Sequence, residues 1–392
     1  MLVIVLTKGV PARTTQAAQV GGVLNREAME LVLNPHDAKA VEAADYVKRR
    51  VGGKTVALSM GPDTKLVPLM KPLYASEVSG VDEEYVLSDR KMAGGDTLAT
   101  SYAVALGVRK VVERHTKAIE ELEEMIKKAG YSEAVKAKAK ELYAANLLSN
   151  RVYSDLPSVR GTIVSRFLSG DATSSGAVQE LEAEKARVSR FIVLAGTKTT
   201  DGETGSVGPQ VAEGLSELLG VVVPHATYVE DFDVDPSAST VDSRRMIGYL
   251  SQKLEMRLPA LLTVAAEYRP RSPPAAGMKE VRANSYRGKV YQPFKWTAED
   301  IGADPKKIGL VNSPTIVGTG IDIGKPPVQK SVGSTQVFLK AVEKTEFEGK
   351  AYGPYSRGDV AADVPEGLVA RLRADGSVGV FDVPMLAEEL TA

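Results

Sequence analysis

Three short segments rich in Gly, Thr, Ser, Asn and Asp carry the residues best suited to hold a ligand, and each lies beyond an apolar run. The longest is Gly196-Thr197-Lys198-Thr199-Thr200-Asp201-Gly202-Glu203-Thr204-Gly205-Ser206-Val207-Gly208-Pro209. Its backbone N–H groups and hydroxyls, with a helix started by Pro209, would face an anion, and phosphate suits that geometry. A capped surface loop would use the same residues. The second segment is Ala93-Gly94-Gly95-Asp96-Thr97-Leu98-Ala99-Thr100, where paired glycines permit close backbone approach and Asp96-Thr97 can cap a helix. The third is Asn34-Pro35-His36-Asp37, also readable as an ordinary helix start. Together the three imply a nucleotide.

Other chemistry is missing. There is no Gly-x-Ser-x-Gly, no histidine beside a buried serine and no pair of carboxylates on one helix face, so no catalytic side chain is assigned. That lack of proton-transfer apparatus favours a carrier over a hydrolase. The absence of cysteine excludes disulfides, thiolate metal sites and cysteine nucleophiles. The three histidines, His36, His115 and His225, lack metal-ligand spacing, so no metal site is expected and each reads as a surface or capping residue.

The elements that must position these segments follow from apolar periodicity. Residues 2–6 are a continuous apolar run, which fits a strand buried on both faces. Asn34-Pro35 starts a helix over 34–51 whose stripe is Ala38, Val41, Ala43, Ala44 and Val47, with Lys39, Glu42, Lys48 and Arg49 facing water. A strand over 55–62 closed by Gly61-Pro62, a helix over 64–74 and a strand at Tyr85-Val86-Leu87 follow. The stretch 107–187 has helical spacing (Val111, His115, Ile119, Leu122, Ile126) and i,i+4 pairs Glu123/Lys127 and Glu124/Lys128. Strand character resumes at 191–196, a helix runs from Pro209 to Leu219, and residues 221–229 and 258 onward are again strand-like.

This alternation indicates a doubly wound, mostly parallel Rossmann-like α/β sheet with an inserted helical subdomain and a C-terminal extension. The expected division is 1–106 and 188–280 for the nucleotide-binding domain, 107–187 for the insertion and 281–392 for a C-terminal arm and extension. The Pro-rich loop at 270–274 is expected to be exposed and stiff, and the tail beyond about 330, with its turn residues over Arg373 to Val383, to hold a hairpin or a small appended unit.

At 392 residues, with 49 Lys plus Arg against 50 Asp plus Glu, the chain has the composition of a soluble globular protein. A net charge of -1 argues against nucleic acid as a ligand, and no apolar run is long enough for a membrane span. The reading is a cytoplasmic protein, alone or associated with a membrane-bound partner.

Six motifs in order resemble the beta subunit of electron-transfer flavoproteins. They are Val5 to Lys8, Asn34 to Asp37, Ser59-Met60-Gly61-Pro62, Ser88 through Ser101, Asp201 to Pro209 and Leu258 to Thr263, spread over roughly 1–106 and 190–280. The resemblance implies a subunit that pairs with an alpha subunit carrying its own FAD. It also implies an adenine nucleotide held by Leu6, Asn34 to Asp37, Met60 and the loop from Gly196 to Val207. That nucleotide is AMP in ordinary members and a second FAD in the electron-bifurcating group. The segment Ala-Gly-x-Asp-Thr-x-Ala-Thr accompanies the FAD-binding group, and Ala93 to Thr100 carries it complete, so FAD is expected, with AMP the alternative. Arg90, Asp96 and Thr97 could hydrogen-bond or screen an isoalloxazine, Arg90 stabilising its reduced anion. The implied electron donors are NADH or a dehydrogenase, and the acceptors ferredoxin or a quinone-reducing partner, with the chain redox-active only in its complex. The sequence departs from the family at His36, where Phe or Tyr is usual, and in the loop after Thr263. An ATP-pyrophosphatase-type enzyme and a universal-stress-type nucleotide sensor are the other classes considered. The first would need its Gly-Gly-x-Asp loop after the first strand, where Thr7-Lys8-Gly9 stands instead.

Overall fold

The computed structural model describes residues 1–12, 19–20, 23–24, 30–75, 81–149, 152–153, 161–170, 172–269, 293–315, 337–339, 345–352, 368, 371 and 380–382. Strand β1 (Leu2–Thr7) is buried along its whole length. Leu2, Ile4 and Leu6 enter one core while Val3 and Val5 enter another, because successive side chains alternate across a pleated strand. Two small antiparallel pairs follow, β2 (Gly9–Pro11) with β5 (Leu31–Leu33) and β3 (Gln19–Val20) with β4 (Val23–Leu24). The chain then alternates through α1 (Pro35–Val51), β6 (Lys54–Met60), α2 (Asp63–Ala75) and β7 (Glu83–Leu87).

Helices α3 (Thr97–Ala129), α4 (Glu133–Ala144), α5 (Ile163–Leu168) and α6 (Ser174–Ser189) come next. They precede β8 (Ile192–Gly196), α7 (Val207–Leu219), β9 (His225–Asp235), β10 (Thr240–Ile247), β11 (Leu250–Arg257) and β12 (Ala260–Val264). Strand β13 (Phe294–Trp296) pairs in parallel with β7.

The nine-stranded sheet has the order β11-β10-β9-β12-β8-β1-β6-β7-β13. Only β9–β10 and β10–β11 are antiparallel. Side chains of α3, α6 and α7 share a core with Leu2, Ile4 and Leu6; those of α1 cover the opposite face, and α2 packs on Ala57 and Val86. From β1 the sheet grows outward through β6 and β7 on one side and through β8 and β12 on the other, so its switch point lies between β1 and β8. Open α/β sheets bind ligands at the carboxyl ends of such strands.

The 33-residue α3 is continuous, and Gly107 lies inside it. A Cβ at Gly107 would sit 3.0 Å from Leu87 Cδ1 and 3.2 Å from Leu58 Cδ2, so a bare backbone lets the helix lie close on the sheet. Its later turns carry the same core outward: Ile119, Leu122 and Ile126 join Val135, Leu142 and Leu181 in one cluster with Leu58 and Leu87. The Glu123–Lys127 and Glu124–Lys128 pairs form as their spacing indicates.

Several expectations of exposure fail. Lys48 and Arg49 do not face water: Lys48 Nζ donates to Asp82 Oδ1 at 2.8 Å, and Arg49 pairs with Asp45. The last turn of α1 packs where Asp82, just before β7, also accepts from Thr55 N–H at 2.9 Å. His115 is fully buried, with Nε2 3.2 Å from Glu83 Oε2. Periodicity placed it on the apolar stripe of α3, and Glu83 supplies the polar partner that lets it stay there.

Residues 270–292, including the Pro-rich loop, lie outside the described residues. Residues 320–392 form a separate compact unit. In it β14 (Val337–Leu339) pairs with β17 (Val380–Asp382), and β15 (Thr345–Phe347) forms a hairpin with β16 (Lys350–Tyr352). The tail thus contains a hairpin within a small unit of its own, and most of Arg373–Val383 lies outside the described residues.

Candidate functional site

The segments Asn34–Asp37 and Gly196–Val207 meet at the switch point. Asp37, in the first turn of α1, is buried and accepts from Lys8 N–H (Oδ2, 2.8 Å) and Gly196 N–H (Oδ1, 3.2 Å). One carboxylate thus ties the carboxyl ends of β1 and β8. Burial raises its pKa from 3.8 to about 7, against the lowering effects of Asn34, of the Lys8 and Gly196 amides and of the Lys8 charge. The approach is close enough to require glycine: a Cβ at Gly196 would stand 2.5 Å from Asp37 Oδ1 and 2.6 Å from His36 C.

Asn34 is the N-cap residue of α1, but its side chain does not cap the helix. Nδ2 instead donates to Lys198 O at 2.9 Å, holding the loop after β8. Lys8 Nζ reaches Asp201 Oδ1 at 2.8 Å and Oδ2 at 2.9 Å, fixing the same loop from β1. His36 Nδ1 lies 3.4 Å from Thr197 Oγ1, and Lys198 pairs with Glu203 at 3.2 Å. Leu6 is buried and Met60 half-buried at the ends of β1 and β6, while Thr199 and Asp201 are half-buried and Thr200, Gly202, Glu203 and Thr204 form an exposed rim.

Helix α7 starts at Val207, two residues before Pro209, which is tolerated because a first-turn residue needs no intrahelical N–H partner. Ser206 at its N-cap makes no side-chain cap, and its Oγ bonds Thr204 O at 3.1 Å. Amides of the first turn of α7 therefore remain for an anion. Gly208 brings that turn against β12, where a Cβ would lie 2.6 Å from Thr263 Cγ2.

Sequence reasoning missed two hydroxyls here. Thr7 and Ser59 are register partners on β1 and β6, both buried, and neither Thr7 Oγ1 nor Ser59 Oγ has a hydrogen-bond partner. Asn34 Oδ1 is likewise buried without a partner. Buried unsatisfied polar atoms are costly, each by about 1–3 kcal/mol, and are a feature of sites that take a ligand or water. Both stand inside the motifs Val5 to Lys8 and Ser59 to Pro62, near the carboxyl ends of their strands, which was the signal that could have assigned their hydroxyls to the site. Uncapped helix amides, unpartnered acceptors and hydroxyls at a switch point fit an organic nucleotide.

The segment Ala93–Thr100 forms a second locus beyond β7. Asp96 is the N-cap of α3, with Oδ1 accepting from Ala99 N–H at 2.9 Å. Its Oδ2 accepts from Thr315 N–H at 3.0 Å and Oγ1–H at 2.7 Å, so both oxygens are engaged by protein. Arg90, in a single 3-10 turn at Arg90–Met92, is exposed, with no ion pair or hydrogen bond from its guanidinium among the described residues. Asp89, the acid beside it, instead accepts from Lys91 N–H and Ala298 N–H at 2.9 and 3.1 Å. Thr97 is half-buried, Ala93 and Gly94 are exposed, and Thr100 Oγ1 lies 3.5 Å from Gly95 O. Gly94 has φ 71°, and a Cβ there would lie 3.1 Å from Leu310 Cβ.

Among the described residues no group of His, Asp and Glu could hold a metal ion, and no helix is long and apolar enough to cross a membrane. The family model described as an electron transfer flavoprotein domain matches residues 21–119. The chain is 28% identical over 319 residues to electron transfer flavoprotein subunit beta of Thermoanaerobacterium thermosaccharolyticum, covering 81% of this chain and 86% of that protein. It is 28% identical to subunit CarD of the caffeyl-CoA reductase-Etf complex of Acetobacterium woodii, covering 81% and 86%. Protein FixA of Bradyrhizobium diazoefficiens is also 28% identical, over 80% of each chain. Six collinear motifs, a doubly wound sheet that gathers two of them at its switch point, and likeness to these relatives along most of their length make the chain similar to the beta subunits of electron transfer flavoproteins.

Proposed function

We propose that this chain is the beta subunit of an electron transfer flavoprotein, that it binds FAD, and that, joined to an alpha subunit with its own FAD, it carries electrons in a flavin-based bifurcating system. The observation that carries this reading is the separation of the two loci. The phosphate-suited loop follows β8, and Arg90, without an ion pair among the described residues, follows β7 with the α3 N-terminus, three strand spacings away. At about 4.8 Å per spacing, that is roughly 14 Å. A mononucleotide at the switch point leaves the second locus unused, whereas a dinucleotide with a flavin ring can extend to it. The complete Ala93–Thr100 segment supports the same choice, as does the likeness to a subunit of a reductase-Etf complex.

The chemistry FAD supplies when bound is acceptance and donation of electrons. The chain's own residues hold and bias it. Amides of α7 and the loop from Gly196 to Val207 take the phosphates; Asn34, Thr7 and Ser59 offer polar contacts at the strand ends. Arg90 places a positive charge where the flavin gains negative charge, and Thr97 offers a hydroxyl. NADH or a dehydrogenase is the donor in this reading, and ferredoxin or a quinone-reducing partner the acceptor.

The test is to purify the chain with its alpha subunit, denature the complex and quantify FAD and AMP by chromatography. Two FAD and no AMP per heterodimer is the expected result. One FAD with one AMP overturns it and leaves a simple electron carrier.

A further inference from the structure

The segment from Ile308 to Thr315 is laid against the loop that precedes α3. Leu310 N–H donates to Ala93 O at 3.1 Å. Asp96 N–H donates to Ser313 Oγ at 2.8 Å, and Ser313 Oγ–H donates onward to Gly309 O at 2.9 Å. Thr315 gives both its N–H and its hydroxyl to Asp96 Oδ2. Gly309, at φ 76°, has no room for a side chain, because a Cβ would lie 2.4 Å from Lys91 O. The strap therefore follows the backbone from Lys91 to Asp96 closely, and it is anchored upstream by β13 pairing with β7 and by Ser88 N–H donating to Trp296 O at 2.9 Å.

A residue that only stabilised the start of α3 would need less than this. Asp96 already caps the helix through Oδ1 and Ala99, which meets the usual N-cap requirement. The strap adds three hydrogen bonds to the same residue from 217 and 219 positions away. Their joint effect is to engage both carboxylate oxygens and hold Gly94 and Gly95 in one conformation. Among the described residues the Arg90 guanidinium and the Thr97 hydroxyl then make no hydrogen bond or ion pair with protein at this locus. A binding loop held in this way by groups outside it meets its ligand with less ordering to do.

We propose that Ser313 and Thr315 are positioning residues for the flavin: they lock Asp96 away from the ligand and so present Arg90 and Thr97 to the isoalloxazine. This rests on the reading that FAD occupies the Ala93–Thr100 locus.

The test compares the wild-type heterodimer with Thr315→Val, Thr315→Ser and the double variant Ser313→Ala/Thr315→Val. Readouts are bound FAD, the visible flavin spectrum and its midpoint potential, with unfolding followed through Trp296, the chain's only tryptophan. The expected result is about tenfold weaker FAD retention and an altered spectrum and potential in Thr315→Val, a larger effect in the double variant, and recovery in Thr315→Ser. The unfolding midpoint should stay near wild type. Unchanged flavin binding and spectrum in the double variant overturn the proposal alone. So does flavin loss that merely tracks the unfolding midpoint and is not recovered by serine. A wild-type complex that holds AMP in place of the second FAD overturns the flavin reading itself, and this proposal with it.

Discussion

The carboxylate of Asp37 accepts the amide of Gly196, a residue 159 positions away, while its other oxygen accepts the amide of Lys8. The two strand ends that flank the switch point are thus held by one titratable group. Its pKa is raised from 3.8 to about 7, because burial outweighs the hydrogen bonds and the Lys8 charge. The folded protein then keeps a proton that the unfolded chain has released at intermediate pH. Asp37 accordingly contributes stability below pH 3.8 that is lost as pH rises towards about 7, and its contribution is level above that. Urea unfolding of Asp37→Asn against wild type should show this part of the pH slope removed, with a general loss of about 1–3 kcal/mol because one of the two amides meets an NH2 group.

Gly196→Ala should be damaging even though alanine is the smallest change. The new methyl would overlap Asp37 Oδ1 and the His36 backbone, so the end of β8 must move off α1 and the Asn34–Lys198 bond must lengthen. We expect a loss of about 1–3 kcal/mol, measured by thermal unfolding, together with weaker nucleotide retention.

Glu83 links the start of β7 to α3. Its Oε2 accepts from Tyr85 OH at 2.6 Å and Arg114 Nη1 at 2.9 Å, and faces His115 Nε2. Burial opposes its charge, but His115, Lys54 and Arg114 outweigh that and lower its pKa from 4.5 to about 2. A depressed acid contributes stability above its unfolded pKa and loses it as pH falls, here between 4.5 and about 2. Glu83→Gln should flatten that acid limb in a pH series of circular dichroism. Glu83→Ala should cost about 3–5 kcal/mol at neutral pH by leaving buried charge unpaired.

Lys8 and Asp201 join β1 to the loop after β8 across 193 positions. Lys8→Met, which keeps the aliphatic stem, should raise hydrogen exchange of amides in 197–206 while leaving those of β1 and β8 protected. Equal exchange in the loop would show that the Asn34 bond to Lys198 suffices to hold it.

On the proposed function, Arg90→Ala should make the potential of the flavin proposed for this chain more negative, since a charge favouring the reduced anion is removed. Spectroelectrochemistry of the heterodimer reads this directly. An unchanged potential would place the flavin ring away from Arg90.

The sequence by itself determined the main alternation of strands and helices and the segments that carry chemistry, but not the hairpin of β10 and β11 or the edge strand β13. Residues 2–6 lie in a strand buried on both faces because they are continuously apolar, and Val111 to Ile126 lie in a helix because their apolar residues recur at its period, although that helix starts at Thr97. Both properties are set by neighbours in the chain. The same holds for the caps: Asp96 caps α3 as its position before Thr97 indicated. Which segments meet was decided only in three dimensions. Placing β8 beside β1, and β6 on its other side, is what brings Asp37 to Gly196 and Asn34 to Lys198, and no local pattern encodes strand order. Exposure was decided there too: Lys48 and His115 sit on helices whose period was legible, but Asp82, just before β7, and Glu83, at its start, are the distant partners that permit their burial. The engagement of Asp96 by Thr315 belongs to the same class, because its two residues are joined by a sheet edge that closes a loop of more than 200 residues. Propensity and periodicity act over a few residues, whereas contacts of that separation exist only once packing has met the entropy of closing the loop.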